Sequence, residues 1–425
     1  MSARPVKAPQ IHSLLAALLA LCGASGAAQA QCQYEITAVI AAPRCPPPFN
    51  NVPATIGRAL MEGPDPAVVG FYFPCGAGTA DTAFVWRAST GLISLPRPVG
   101  VTSMEAADIS ESGVIVGTYD SAERGFRGFI YENGQYTELA PLPGGAWSGT
   151  CAIAADGTVV GFRSIGSKGD PVNPFNAFIW SESEGFVDLG VMSGLNSAAT
   201  AIGAGRVVGW TGGNVFNGVG FLSDGGVIAD LGAVSGGTTS VPTAITKSRE
   251  ICGWGRVPVD GFPSGVARAF RWEEGEWLML GTLPDHLRSA ANDMSDATGQ
   301  IVGSSWTVGA NTAISHAFLW QDGTMYNLND FVLPGSALII QSATAIVDAG
   351  EIVADGLDLS GDRVTFLLTP IDLPLGDIDI DCTVDSDDLI ILLTDWAQTD
   401  SPADLNGDGV VNVLDLIVLL LNFGA

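Results

Sequence analysis

Positive charge is scarce in this chain. Eighteen Lys and Arg stand against 45 Asp and Glu, the formal net charge is −27, and charged residues of both signs make up only 15% of the whole. A surface of that sign repels the phosphates of nucleic acid and anionic membranes, so neither is an expected partner, whereas cation binding and solubility outside the cell suit it. Histidine is rarer still. Three are present, and only His286 and His316 lie beyond residue 30. Neither is near a nucleophile-elbow serine, and HExxH and phosphate-cradling glycine loops are missing, which removes the common hydrolase and nucleotide-binding signatures. A carboxylate pair acting on a glycosidic bond leaves no spacing in a sequence. Asp108, Glu111, Asp120 and Glu123 are candidates of that kind, but they read more simply as turn and surface residues, and no catalytic residue is assigned. Long apolar runs are also lacking. The run from Leu14 to Leu21 is too short to span a membrane. With Arg4 and Lys7 before it and Ala28-Gln29-Ala30 after it, residues 1–30 read as a signal peptide. Cleavage would start the exported chain at Gln31 and carry the formal charge from −27 to −29. Cysteine is sparse, with seven in all. One disulfide is expected among Cys32, Cys45 and Cys75, its pairing open, while Cys151 and Cys252 read as small buried hydrophobes.

Glycine is abundant instead, 54 residues beside 24 prolines and 47% hydrophobic residues, which suits a large core joined by many tight turns. The turns are periodic. His316-Ala317-Phe318-Leu319-Trp320 is an alternating apolar run, followed by the turn pair Asp322-Gly323 and a second run, Met325-Tyr326-Asn327-Leu328, the pattern of a β-hairpin. The hairpin recurs around Phe84, Phe129, Phe178, Phe221, Phe270, Phe318 and Phe366, at intervals of 45, 49, 43, 49, 48 and 48 residues. A second hairpin lies upstream of each Phe, as in Ala199-Thr200-Ala201-Ile202, a Gly203-Ala204-Gly205 turn, and Val207-Val208-Gly209-Trp210. Four short strands, a to d, in each unit of about 40 to 50 residues are the mark of propeller blades. The expected fold is therefore mainly β, a seven-bladed β-propeller over residues 31–370.

Three details follow from the repeat. The Gly just after strand b and the small residue before the Phe are expected where neighbouring sheets approach closely. The last unit stops at Pro370 without a strand d, while the stretch from Tyr34 to Ile40 is a strand without a blade. Glu35 to Ile40 is predicted to close the ring as strand d of blade seven, which removes an exposed edge. The b–c and d–a connections are the long ones, so a ligand face is expected on the rim that carries them. Tyr72, Phe73, Phe175, Trp210, Phe216, Trp254, Phe262 and Trp306 lie at or beside b–c connections of different blades, a spread that suits a binding module.

The unit from Leu280 to Trp320 runs LGTLPDHLRSAANDMSDATGQIVGSSWTVGANTAISHAFLW. It resembles the HAF family of extracellular repeats, whose pattern runs from an LGTL start through S-x-A and x-VVG to HAF-x-W. The resemblance covers about residues 31 to 370 and implies an extracellular β-propeller-like domain without assigned chemistry. His316 is replaced by Arg268, Asn176, Arg127, Val219, Thr82 and Val364 in the other copies and reads as a structural edge position.

After a linker at 371–376 the pattern changes. Asp377, Asp379, Asp381, Thr383, Asp385 and Asp388 fall at positions 1, 3, 5, 7, 9 and 12 of a loop, and Asp404, Asn406, Asp408, Val410, Asn412 and Asp415 repeat the register. Hard Ca²⁺ needs six to eight oxygens, and such a spacing wraps side chains and the position-7 carbonyl around one ion. Two Ca²⁺ ions are expected. A helix of about three turns should follow each loop, over Leu389 to Trp396 and Leu416 to Phe423. Paired loops with Asp at position 12 and a single following helix resemble a type I dockerin, here α-helical and spanning 377–425. That resemblance implies docking onto a cohesin-like domain of a partner, in a polysaccharide-degrading setting, with positions 10 and 11 (Ser386, Asp387, Val413, Leu414) reading the partner. Cys382 stands at position 6, where Gly is usual. The expectation for the whole is a secreted, non-catalytic propeller binding a polysaccharide or cell-surface ligand and carried by its C-terminal module. The alternative is a glycoside-hydrolase-like propeller enzyme.

Overall fold

The computed structural model describes residues 34–45, 54–74, 81–141, 145–166, 174–307, 314–332, 338–371, 375–378, 384–399 and 401–424. The signal-peptide reading lies outside them. The chain divides into two compact units, Cys32–Asp372 and one that holds Leu373–Ala425. The first is a seven-bladed β-propeller. Seven four-stranded antiparallel sheets each run a-b-c-d from the inside outward, six of them in chain order, and each inner strand a packs on the preceding blade. In the seventh sheet the outer strand is Tyr34–Ile40, paired with Arg363–Pro370, so the N-terminal strand closes the ring as expected. Strand a of blade one (Thr55–Met61) packs against the strands of blade seven, which completes the circle.

The repeated residues have repeated jobs. All seven Phe of the motif are 0% exposed. In six blades the Phe pairs with a strand-b Gly, and in blade seven Phe366 pairs with Ala354. The glycines lie inside strand b rather than after it. What approaches them is strand a of their own sheet: a Cβ at Gly209 would sit 2.0 Å from the Ala198 carbonyl and 2.7 Å from the Phe221 ring, and one at Gly303 would sit 2.1 Å from the Ala290 carbonyl. This corrects the expectation of a neighbouring sheet. A β-bulge at that level of every strand a bends its backbone over the glycine, leaving Arg58, Ala107, Cys151, Thr200, Thr243, Asn292 and Thr344 as the extra residues. The small residue before the Phe does face the next blade, since a Cβ at Gly128 would meet Thr150 at 2.8 Å. The c–d turns Asn133-Gly134, Gly225-Gly226, Glu274-Gly275 and Asp322-Gly323 have positive φ at both positions, as type I′ hairpins require.

The Ser of S-x-A is the clasp between blades. Ser289 Oγ accepts from the Ala269 N–H at 2.9 Å and donates to the Gly281 carbonyl at 2.6 Å, both in the preceding blade. Ser148 does the same between Gly128 (3.1 Å) and Leu139 (2.6 Å), and Ser197 and Ser240 repeat it. At the closing joint Thr55 Oγ1 accepts from Thr365 at 3.0 Å and donates to the Ile40 carbonyl at 2.9 Å. Beside it the buried Asp355 accepts from the Gly57 N–H (2.9 Å) and the Thr365 hydroxyl (2.7 Å), tying blade seven to blade one. At the joint of blades six and seven the Asn329 amide replaces the serine, bonding both the N–H and the carbonyl of Ile340.

The C-terminal unit is a duplicate at an offset of 27 residues. Its buried residues Val384 and Leu392 match Val411 and Leu419, with Leu389 and Leu416 packed against them. Helix α1 spans Ser386–Thr394 and α2 spans Val413–Leu421, each beginning three residues before the expected start. The reason is a capping box in each copy. Asp385 and Asn412 are N-caps, and Asp388 and Asp415 at N3 reach back to the N-cap N–H, so loop positions 10 to 12 already form the first helical turn. The copies also lock reciprocally, with Ala397 N–H on the Val411 carbonyl (2.8 Å) and Gly424 N–H on that of Val384 (2.7 Å).

Candidate functional site

In the second C-terminal loop every predicted oxygen is in view. Asp404 accepts from the N–H groups of Gly407 (3.0 Å), Asp408 (3.1 Å) and Gly409 (2.8 Å), and Asn406 from that of Asp408 (2.8 Å). The Asn412 amide donates to the Asp408 carboxylate (3.1 Å) and the Val410 carbonyl (2.9 Å). That amide is the largest influence holding Asp408 below the usual carboxylate range. Asp415, fully buried, accepts from Asn406 at 3.0 Å and Asn412 at 2.7 Å. Of the first loop, Asp377, Asp385 and Asp388 are described, and Asp379, Asp381 and Thr383 lie outside the described residues, as does Cys382. Asp388 is equally buried and accepts from Ile378 (2.6 Å) and Asp385 (2.8 Å). The donor set is all oxygen, the chemistry Ca²⁺ takes. Among the described residues no three His, Cys, Asp or Glu side chains converge on one point. Ser386, Asp387, Val413 and Leu414 are all exposed, with Val413 and Leu414 more than half so. They border a larger apolar surface. Ile390, Leu393 and Trp396 in the first copy match Ile417, Leu420 and Phe423 in the second, and all six are exposed.

On the propeller, the rim of b–c and d–a connections carries a cleft of about 670 Å³ between blades two and three. Strand a of blade two (Val101–Ile109) supplies Ser103 and Glu105, and strand b (Ile115–Ser121) supplies Thr118 and Asp120. Phe126, Trp147 and Phe162 form its aromatic walls. These walls are pinned by backbone bonds. Arg127 Nη1 donates to the carbonyls of Phe126 (2.7 Å) and Ala146 (2.9 Å), and the buried Ser164 accepts from Trp147 N–H (3.2 Å) and donates its own N–H to the Trp147 carbonyl (2.8 Å). Trp147 packs on Phe162 at 5.5 Å and on Phe175 at 5.0 Å. Burial pushes the Glu105 carboxyl up, Arg58 pulls it back, and the neighbouring Asp81 adds to the rise.

Of the four carboxylates singled out in the sequence, Asp120 alone lines this cleft. Glu123 is exposed in the b–c turn, and Glu111 lies at the opposite mouth of the central channel. Asp108 faces the channel itself, accepting from Ile109 and Ile153 N–H at 2.8 Å each, and Asp293 repeats it in blade six with Met294 and Ile346 at 2.9 Å. Burial raises Asp108 to about 6 and Asp293 to about 7. Of the predicted aromatics, Trp210 is buried and Trp254 packs beside it, with Phe216 at 6.3 Å. His316 stacks on His286 at 5.3 Å, and burial, then His316, lowers His286. Cys252 is buried and Cys151 lines the channel; both are free thiols raised by burial. Cys45 is half of a disulfide; Cys32 and Cys75 lie outside the described residues.

No family model matches the chain, and no curated protein does. Solved structures do, at the level of fold. TolB from Acinetobacter baumannii is 10% identical over 72% of this chain and 63% of its own (TM-score 0.41). Trypanosoma rangeli sialidase in complex with sialic acid is 9% identical over 81% and 59% (TM-score 0.38). The polysaccharide lyase Uly1 is 11% identical over 82% and 96% (TM-score 0.43). The chain thus spans less than two thirds of the TolB and sialidase chains, and the likeness to all three is one of architecture. No helix among the described residues is long and apolar enough to cross a membrane.

Proposed function

We propose that this is a secreted, non-catalytic binding scaffold of the HAF-repeat kind, whose dockerin-like C-terminal module binds two Ca²⁺ ions and attaches the propeller to a cohesin-like domain in a polysaccharide-degrading setting. The observation that carries this reading is the duplicated C-terminal unit. Two loops of oxygen donors each run into a capped helix, and the pair shares a small core while equivalent apolar residues of both helices stay exposed. Such a surface on so small a unit suits a partner. Calcium would be held by the side chains at positions 1, 3, 5, 9 and 12 and the carbonyl at position 7, where it would neutralise the crowded carboxylates. The second helix is the more apolar, with Val413, Leu414 and Leu421 where the first has Ser386, Asp387 and Thr394. The two faces are therefore expected to read a partner unequally. Calorimetry on the full chain should give a two-site Ca²⁺ isotherm, and capture on a type I cohesin column should require Ca²⁺. Asp377→Ala with Asp404→Ala should abolish both, and a chain that ignores Ca²⁺ would overturn the reading. A second reading, a carbohydrate-active propeller, is favoured by Glu105 and Asp120 lining one aromatic cleft. It requires measurable polysaccharide hydrolysis that Glu105→Gln removes.

A further inference from the structure

The cleft between blades two and three has a chemistry of its own. Its walls are aromatic, its floor carries hydroxyls and two carboxylates, and among the described residues no Lys or Arg lines it. Phe126 is 56% exposed, with its ring free to meet a ligand, while the half-buried Trp147 is fixed through its backbone by Ser164. Flat rings on rigid backbone suit the C–H faces of a sugar ring, and the hydroxyls of Ser103 and Thr118 with the carboxylates of Glu105 and Asp120 suit its hydroxyl groups. The two carboxylates, on a chain of formal charge −27, exclude a uronate or a sulfated sugar by simple repulsion. Among the described residues the lining offers an anion hydroxyl donors but no positive charge. A ligand amine would have to compete with Arg58, which already pulls on Glu105 from inside the propeller.

We propose that this cleft binds a segment of a neutral polysaccharide, stacked between Phe126 and Trp147 and hydrogen-bonded through its hydroxyls to Glu105 and Asp120. The proposal rests on reading the propeller as a binding scaffold and is independent of the calcium module, so the test is run on the full chain in chelator. Calorimetry would use cellohexaose, xylohexaose, laminarihexaose and mannohexaose, with hexagalacturonate and hexaglucosamine for comparison. At least one neutral oligosaccharide should bind and the uronate should not. Phe126→Ala, which removes an exposed ring, should weaken that binding about tenfold, the equivalent of one stacked ring. Trp147→Ala should do at least as much. Leu359→Ala, which removes an exposed apolar side chain on blade seven, should leave it unchanged. The proposal is overturned if no neutral oligosaccharide binds, if only the uronate or the amine sugar does, or if Phe126→Ala and Leu359→Ala behave alike. Failure of Ca²⁺ or cohesin binding would leave these outcomes untouched.

Discussion

The hydroxyl clasp between blades can be tested where it matters most, at the closing joint. Thr55→Val keeps the side-chain shape and removes the hydroxyl. The Thr365 N–H and the Ile40 carbonyl, 3.0 and 2.9 Å away, then lose their partner in a place water does not reach, since Thr55 is 0% exposed. A made hydrogen bond is worth about 1 kcal/mol net, but each buried group left without one costs ~1–3 kcal/mol. Two orphans at one site, with some relaxation between them, set the expected loss at about 3 kcal/mol. Thr55→Ser keeps the hydroxyl and gives up one methyl group, about 1 kcal/mol. Guanidinium unfolding of the full chain, followed by tryptophan fluorescence, compares the midpoints at a common slope. Ser289→Ala is the internal control. It orphans the Ala269 N–H and the Gly281 carbonyl in the same way inside the ring, and should cost a similar amount. The reasoning fails if Thr55→Val is as stable as Thr55→Ser, because the clasp would then be packing and not hydrogen bonding.

Deleting residues 31 to 42 should destabilise the whole propeller, since it exposes the edge of Arg363–Pro370 and removes the Ile40 carbonyl from the clasp; an unchanged melting temperature would refute closure by this strand. Asp108, Asp293 and Asp355 are raised by burial to about 6, 7 and 6, above the unfolded value, so the native state holds protons that the unfolded chain releases. Their contribution is therefore full below the unfolded pKa and is lost as pH rises to about 7; Asp293→Asn should flatten the fall in guanidinium midpoint between pH 4.5 and 8, and a midpoint that rises over that range would be the contrary result. Ala397 sits at φ +68 just past α1, where the other copy has Gly424, so Ala397→Gly should stabilise the C-terminal unit by about 1 kcal/mol in urea; a loss would show that the strain is already relieved. Asp408→Asn should weaken Ca²⁺ binding while leaving the helix signal in chelator unchanged, whereas Asp415→Asn should lower that signal with or without metal; circular dichroism against a Ca²⁺ titration separates the two.

The sequence made the blades legible because each structural demand is repeated. A buried Phe, a Gly under the bulge and a two-residue turn appear in copy after copy, so the pattern stands above local noise. Strand Tyr34–Ile40 was legible for a different reason, as an orphan matching a vacancy at the other end. The role of the Ser in S-x-A was not, because both its partners lie in another blade and the motif shows only the donor side chain. The identity of the close neighbour of the strand-b glycines was missed likewise, since a β-bulge leaves no mark in a sequence with such small residues around it. The cleft was least visible of all. Glu105, Asp120, Phe126 and Trp147 come from four segments, and only their meeting makes a site. One signal was there: Trp147 stands directly before Ser148, where the other clasp residues follow Ala54, Asn196, Thr239 and Arg288.

The C-terminal spacing shows how one pattern can answer two demands. Positions 9 and 12 are a capping box in both copies, which accounts for Asp385, Asp388, Asn412 and Asp415 through helix initiation alone. Asp415 goes further and also holds the Asn406 N–H, so a single buried carboxylate joins the start of the loop to the start of the helix. The buried equivalent Asp388 spans its own loop in the same way through Ile378. What capping does not require is an oxygen at positions 1, 3 and 5. In the second loop Asn406 and Asp408 are exposed, and together with Asp404 they bond only to the loop's own N–H groups and to the Asn412 amide. Those bonds stabilise a turn that Gly407 and Gly409 already favour through their positive φ. A loop needing only to turn would not place two negative charges and an amide oxygen on that arc, where they repel or waste donors. Positions 9 and 12 therefore serve helix initiation whether or not a metal binds, whereas the oxygens at positions 1, 3 and 5 answer only to the proposed Ca²⁺.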